Sequence, residues 1–422
     1  MKVKQLKINA FRGIKELTLD FDLYEPTVII GINGVGKSSI LACLAILLSW
    51  LNNQIRSGTT HRQGYDFENS DINNNSSETR NTIKICTNIQ EKKYLSWTLQ
   101  RHRSTSLSKE KRVSKEIINR NLFHRILEFQ RIKSQLPIVI SYPAKRFVDR
   151  ISLVNKDNLF DTITAYNLAL DNKNNDFQDF FEWFRNREDL ENENFIHNPD
   201  KGKDRQLEAV RQAIYGILEG FSNLRVERYP LQMSLEKNGK KLVANQLSDG
   251  EKGLLAMVGD IARRLAMVSA ENANALEGEA IILIDQIELH LHPKWQREII
   301  TALKRTFPNC QFIITTHSPQ VLSNIKPENI YVLESGEEGI TARHPQRSFG
   351  RDSNSILEDV MGVAERPVEI KEDLQALFRV IEAGDLEAAR ELRQTIAEKI
   401  GSDEPELIKA ATSIRRKEIL DR

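Results

Sequence analysis

Apolar and polar positions alternate with period two over residues 3–9 (Val-Lys-Gln-Leu-Lys-Ile-Asn) and again over 17–23 (Leu-Thr-Leu-Asp-Phe-Asp-Leu). Phe11-Arg12-Gly13 between them suits a turn, so the chain is expected to open on a β-hairpin. A third, wholly apolar strand at 27–30 runs into Gly31-Ile32-Asn33-Gly34-Val35-Gly36-Lys37-Ser38-Ser39 and then into an apolar helix ending near Trp50. That order is a buried strand, a glycine turn and a helix. Residues 66–82 are too polar to bury anything and are predicted to form a mobile surface loop. Phe177, Phe180, Phe181 and Phe184 recur at helical spacing, as do Leu207, Val210, Ile214 and Leu218, which predicts two amphipathic helices. Two strongly apolar strands are expected at 280–284 and 311–315, with a helix near 293–306 between them. Beyond Arg347 the pattern is helical, with Gly384 and the 401–405 stretch as breaks, so a helical hairpin or three-helix cap should close the chain.

The chain has 422 residues, 60 Lys+Arg against 59 Asp+Glu and a net charge of +1. This excludes a globally basic nucleic-acid coat and an acidic disordered tail. Residues Arg101–Arg150 carry 13 Lys+Arg and 4 Asp+Glu, a local basic patch that a nucleic acid could meet, although such a run is commonly just a solvated face. The longest near-continuous apolar run, 40–51, is too short to span a bilayer, and no signal peptide is expected at the start. Cys43, Cys86 and Cys310 lie too far apart for a disulfide framework or a zinc knuckle. The expectation is a cytoplasmic protein poor in metal ligands.

Gly31–Ser38 fits the pattern G-x-x-x-x-G-K-[ST]. In such a loop, backbone N–H groups around Asn33, Gly34 and Gly36 cradle phosphates, the lysine (Lys37) reaches the β and γ oxygens, and Ser38, followed by Ser39, ligates Mg²⁺. ATP or GTP binding follows. The magnesium site needs a second oxygen donor at a strand end, and Ile281-Ile282-Leu283-Ile284-Asp285 supplies it in Asp285. Leu247-Ser248-Asp249-Gly250-Glu251 lies upstream, and Thr315-Thr316-His317-Ser318 closes the next strand.

This order of motifs resembles the ABC-type ATPase head of SMC, RecF and OLD proteins. The resemblance implies an α/β fold of two lobes, a mixed sheet flanked by helices. It divides the chain into an N-terminal lobe (1–100), a basic and helical insertion (101–223), a second lobe (224–345) and a C-terminal helical partner-docking region (346–422). It implies that Ser248 and Gly250 close over the γ-phosphate of the opposite subunit in a homodimer. His317 would sense that phosphate in its own subunit, and Arg12 would lean on the nucleotide. The family's lid-strand glutamine has no match by motif. Gln286 is a departure: similar proteins place a glutamate directly after the Walker B aspartate, where it polarises the attacking water. Glutamine cannot accept a proton, so binding should survive while hydrolysis nearly stops. With the neighbouring motifs intact, Gln286 reads as a Glu→Gln substitution that traps the ATP state, the alternative being a natural loss. His290 and His292 read as part of the loop facing the partner subunit rather than as metal ligands.

Only about 210 residues separate Lys37 from Leu247, without sustained heptads, which excludes a long coiled-coil arm. Too little chain follows Arg347 for a nuclease domain of the OLD type. Residues 179–192, His290–Arg297 and Gly384–Arg390 look like the ATPase subunits (PtuA-like) of bacterial Septu anti-phage defence systems and of retrons carrying a Septu-like pair. That resemblance implies a toxin–antitoxin-like complex with an HNH-type nuclease, and in retrons also a reverse transcriptase with its single-stranded DNA. A RecF-like DNA-repair ATPase and a transporter energy subunit are the competing readings.

Overall fold

The computed structural model describes residues 1–57, 64–88, 91–103, 136–144, 162–170, 176–197, 202–269, 274–337 and 339–420. It falls into two compact units, Met1–Ser353 and Asn354–Arg422.

The first unit opens with β1 (Lys2–Phe11), β2 (Ile14–Asp20) and β3 (Thr27–Gly31), followed by helix α1 (Lys37–Ser57), β4 (Glu78–Asn88), β5 (Lys93–His102) and β6 (Ile138–Tyr142). Helices α2 (Asp176–His197) and α3 (Arg205–Ile217) lead to a small antiparallel sheet of β7 (Phe221–Arg228), β8 (Leu231–Lys237) and β9 (Lys240–Val243). Helix α4 (Asp249–Val268), β10 (Ala280–Ile284), α5 (Pro293–Thr306), β11 (Gln311–Thr315), the short α6 (Pro319–Leu322), β12 (Ile330–Gly336) and β13 (Gly339–Arg343) complete it. Strands β2-β1-β4-β5 form an antiparallel sheet whose alternation puts one face inward. The central sheet has the order β13-β12-β3-β11-β10-β6, parallel except for the β12–β13 hairpin. Its middle strands are unbroken apolar runs because both faces are covered: Val28, Ile29, Ile30, Ile282, Leu283, Ile284, Ile313 and Ile314 are fully buried.

Strand β6 lies within the stretch read from sequence as a basic, helical insertion, yet it pairs in register with β10 from Ile138–Ala280 to Tyr142–Ile284. Helix α1 is longer than expected, and its 20 residues from Lys37 to Arg56 are apolar enough to cross a membrane by length and composition. Within the fold 67% of its most apolar window is buried, as in a core helix. The expected mobile loop at 66–82 is overturned. Phe67 and Ile72 are 2% exposed and Asp71 5%, and β4 begins at Glu78. Its asparagines and serines spend their polarity on local turns, which leaves its few apolar residues free to pack.

Helix α4 is buried along most of its length, even at Asp260, Arg263 and Arg264. Asp260 accepts from both arginines and from the Tyr142 hydroxyl of β6 at 2.8 Å, while Arg264 also donates to the Asn167 carbonyl at 2.9 Å. Burial alone would raise the Asp260 carboxyl, and the two guanidinium groups overcome it and hold it below the usual range. Truncation to Asp260→Ala is expected to destabilise the first unit by ~3–5 kcal/mol, because two buried cations lose their counter-charge. Thermal melting of the variant beside the parent checks this; an unchanged midpoint refutes it. Gly259 on the same helix faces Phe180 of α2, whose ring would lie 2.7 Å from an added Cβ. Phe177, Phe180 and Phe184 stack edge to face along that helix at 6.1 and 5.9 Å.

The second unit contains three helices, α8 (Val368–Ala383), α9 (Leu386–Ile400) and α10 (Pro405–Leu420), preceded by the short α7 (Ser353–Asp359) at the junction. Leu374, Leu377, Ile381, Ala389, Ile396, Leu407, Ala410 and Ile414 make its own core. Gly384 ends α8 in the left-handed conformation and Asp385 caps α9 by accepting from the Ala388 N–H at 3.1 Å, which fixes a tight helical hairpin.

Candidate functional site

Adjacent parallel strands β3, β11, β10 and β6 end at one edge of the central sheet, so the segments that follow them are neighbours. Such carboxyl ends are the usual place for a ligand in an open α/β sheet. Gly31 begins the turn after β3 at φ 148°, and a Cβ there would sit 2.7 Å from the Leu333 carbonyl oxygen of β12 and 2.8 Å from Val35. Only glycine lets the loop pass that close to the neighbouring strand. Asn33, Gly34 and Ser38 are exposed at the α1 N-terminus, Ser39 is half-buried, and Lys37 is 5% exposed. The Lys37 ammonium donates to the carbonyls of Gly31 at 2.9 Å and Ile32 at 2.8 Å. Burial lowers its pKa below the ordinary value, and Asp285 and Glu288 push the other way.

The segments after β10 and β11 are joined by hydrogen bonds. Thr315 Oγ1 donates to Asp285 Oδ1 and accepts from the Gln286 N–H at 2.8 Å, and the Ile287 N–H donates to the Thr315 carbonyl at 3.1 Å. Glu288 then accepts from Thr316 Oγ1 at 2.7 Å and from the His317 N–H at 2.8 Å. This zipper brings Asp285, Gln286, Glu288 and His317 together, with Lys37 near enough to feel Asp285 and Glu288. Gln286 and His290 both hold positive φ, 51° and 61°, a conformation that L side chains adopt seldom and that recurs at functional turns. Desolvation, reinforced by Lys37, depresses the His317 pKa below its ordinary value against the pull of Glu288 and Asp285.

Ser248 is the N-cap of α4. Its N–H and its hydroxyl both donate to Glu251 Oε2 at 2.9 Å, and the Glu251 N–H returns a bond to Ser248 Oγ at 3.4 Å. Gly250 lies against the loop after β10, where an added Cβ would be 2.4 Å from the His290 carbonyl oxygen. Within one chain the Ser248–Glu251 turn therefore packs on the His290 loop, and among the described residues Ser248 makes no hydrogen bond to the phosphate loop.

Several contributors escaped the sequence. Glu288 was visible within Asp285–Pro293 only as a fallback base; its hydrogen-bond donors, Thr316 and His317, come from the structure. Strand β6, beside β10, carries Tyr142-Pro143-Ala144 at the ligand edge, and the Asp285 N–H donates to the Tyr142 carbonyl at 2.9 Å. The two described residues that follow β6, Pro143 and Ala144, include no glutamine. Most of the Arg101–Arg150 patch lies outside the described residues. The two arginines of the patch that are described, Arg101 and Arg103, bond to the 66–77 segment: Arg103 donates to the carbonyls of Ile72 at 3.2 Å and Asn73 at 3.0 Å, and Arg101 to Asn69 Oδ1 at 3.4 Å. Those side chains hold a loop of their own protein. His292 caps α5 by accepting from the Lys294 N–H at 3.3 Å. Among the described residues no group of three or more His, Cys, Asp or Glu side chains is placed to hold a metal ion. Ser38 and Asp285 offer two hard oxygen donors, the chemistry that suits Mg²⁺ shared with phosphates.

A profile of the family described as "AAA domain, putative AbiEii toxin, Type IV TA system" matches residues 27–323. The chain is 28% identical to "Retron Ec83 probable ATPase" of Escherichia coli over 483 aligned positions, covering 99% of this chain and 87% of that protein. It is 28% identical to "Retron Vc95 probable ATPase" of Vibrio cholerae serotype O1 biovar El Tor, with 91% and 83% covered. A "Septu protein PtuA" of Bacillus thuringiensis is 27% identical, with 86% and 85% covered.

Proposed function

The chain belongs to the AAA-domain, AbiEii-toxin family, and on that premise we propose that it is the regulatory ATPase subunit of a bacterial anti-phage defence complex of the Septu or retron type. Its relatives named as retron ATPases and a Septu protein support that placement. The observation that carries the ATPase reading is the meeting of Lys37, Asp285 and His317 at the ends of neighbouring strands. In this reading ATP lies on the phosphate loop, with its β and γ oxygens on Lys37 and the α1 N-terminus. Mg²⁺, which Ser38 and Asp285 would hold, would offset part of the triphosphate's charge. The His317 ring N–H donates one hydrogen bond to a γ-phosphate oxygen. Gln286 orients water without accepting its proton, so the bound state is long-lived.

Ser248 and Gly250 sit at the N-terminus of a 20-residue helix, an anion-binding end that a second subunit's γ-phosphate completes. ATP therefore dimerises two heads, and the dimer holds or positions an HNH-type nuclease, in retrons together with a reverse transcriptase and its single-stranded DNA. The helical Asn354–Arg422 unit is the docking region for that partner. Ser248→Arg is expected to leave a head that binds ATP but stays monomeric, after a loss of ~1 kcal/mol from the missing cap. Light scattering with and without ATP, read beside the melting temperature, decides this. An ATP-independent mass for the parent, or ATP-driven dimers in the variant, sinks the dimer assignment.

A further inference from the structure

We propose that Asp71 is a positioning residue that aims Arg12 at the nucleotide, and that the 66–77 segment forms part of the nucleotide-site wall; this rests on the reading above that ATP occupies the phosphate loop. Arg12 stands in the β1–β2 turn with φ 50°. Ile14, two residues on, would lie 3.5 Å from a Cβ placed on Gly36, so this turn abuts the phosphate loop. The turn is fixed through its backbone: the Arg12 N–H donates to the Asp71 carbonyl at 2.7 Å, and Asn73 Nδ2 donates to the Arg12 carbonyl at 2.6 Å.

Among the described residues the side chain makes one hydrogen bond and one ring contact. Arg12 Nε donates to Asp71 Oδ1 at 2.9 Å, and the guanidinium lies over the Phe11 ring at 5.1 Å. The Asp71 side chain is 7% exposed, that of Arg12 41%. Asp71 Oδ2 is engaged by the Glu68 N–H at 2.9 Å, Phe67 packs on Phe11 with ring centroids 5.3 Å apart, and Arg103 holds the Ile72 and Asn73 carbonyls. The carboxylate cannot swing away with its arginine, because its segment is anchored independently. Among the described residues the two Nη groups of Arg12 carry no hydrogen bond. A guanidinium anchored by Nε keeps its paired Nη donors free in a fixed plane, the fork that suits phosphate oxygens. Orientation settled before binding spares the ligand that entropy cost.

The test is a double-mutant cycle on the full chain, with ATP and Mg²⁺ titrated by calorimetry and folding followed by thermal melting. Asp71→Asn removes the charge and places an amide NH₂ against one of the two donors, Arg12 Nε or the Glu68 N–H, and ATP affinity should fall about tenfold. Arg12→Ala should fall at least as far, and Asp71→Asn added to Arg12→Ala should change affinity less than twofold. A merely structural role would lower affinity by the same factor in both backgrounds, and that result overturns the proposal, as does full affinity in Asp71→Asn. Should Asp71→Asn not fold, Arg12→Lys serves: it keeps the charge but lacks the Nε anchor. A fivefold or greater loss supports the proposal, and unchanged affinity refutes it. Lys37→Ala runs alongside. If it loses ATP while Asp71→Asn does not, only the positioning role fails; if it binds ATP like the parent, the phosphate-loop reading fails with it.

Discussion

Lys37→Ala is expected to weaken ATP binding by roughly 30- to 1,000-fold, corresponding to ~2–4 kcal/mol for a truncated, largely buried charge partner. The magnitude follows from where the ammonium stands. It is 5% exposed, held by two loop carbonyls and depressed in basicity by burial, so it holds its charge at a cost that phosphate oxygens would relieve. Its carbonyl partners in the loop are neutral, and a triphosphate offers charge-assisted bonds about twice as strong. Alanine would also remove the cation that stands within the loop itself, which the α1 N-terminus does not replace. Calorimetry with ATP and Mg²⁺ measures the loss, and melting confirms that the variant is folded. Undiminished affinity would place the nucleotide elsewhere.

What could be read from the sequence depended on how local the determinant was. The bounds of β10, β11 and α5 were legible because an unbroken apolar run or a His-Pro start marks them within a few residues. The order of site motifs was legible for the same reason, each being a short run whose chemistry is set by its own residues. Strand β6 was missed because Ile138-Val139-Ile140-Ser141-Tyr142 is five residues beside a long charged stretch, and its assignment depends on pairing with β10 far along the chain. Asp71 was missed for a related reason. A polar run reads as solvent-facing when its partners are unseen, and Arg12 and Arg103 lie 59 and about 30 residues away. Glu288 stood in plain view, but its role comes from two donors on the following strand's tail.

Gln286→Glu is the second large effect expected, an increase in steady-state ATP turnover of about 10²–10⁴-fold, the usual contribution of a positioned general base. The geometry favours a clean reading. Gln286 is tied into the zipper by its backbone N–H to Thr315 Oγ1, and its left-handed φ is set by the turn, so exchanging amide for carboxylate leaves both in place. Asp285→Asn introduced into that restored background should abolish the gain, because the metal loses its carboxylate and the bond from Thr315 its charged acceptor. The rival base is Glu288, the zipper's carboxylate besides Asp285. Its two oxygens already accept from Thr316 Oγ1 and the His317 N–H, so the lone pairs that a water would need are engaged. Comparing turnover of the chain as it stands with Gln286→Glu separates the two. A rise locates the base at position 286, whereas equal rates would transfer the role to Glu288, and Glu288→Gln would then be the substitution that stops hydrolysis.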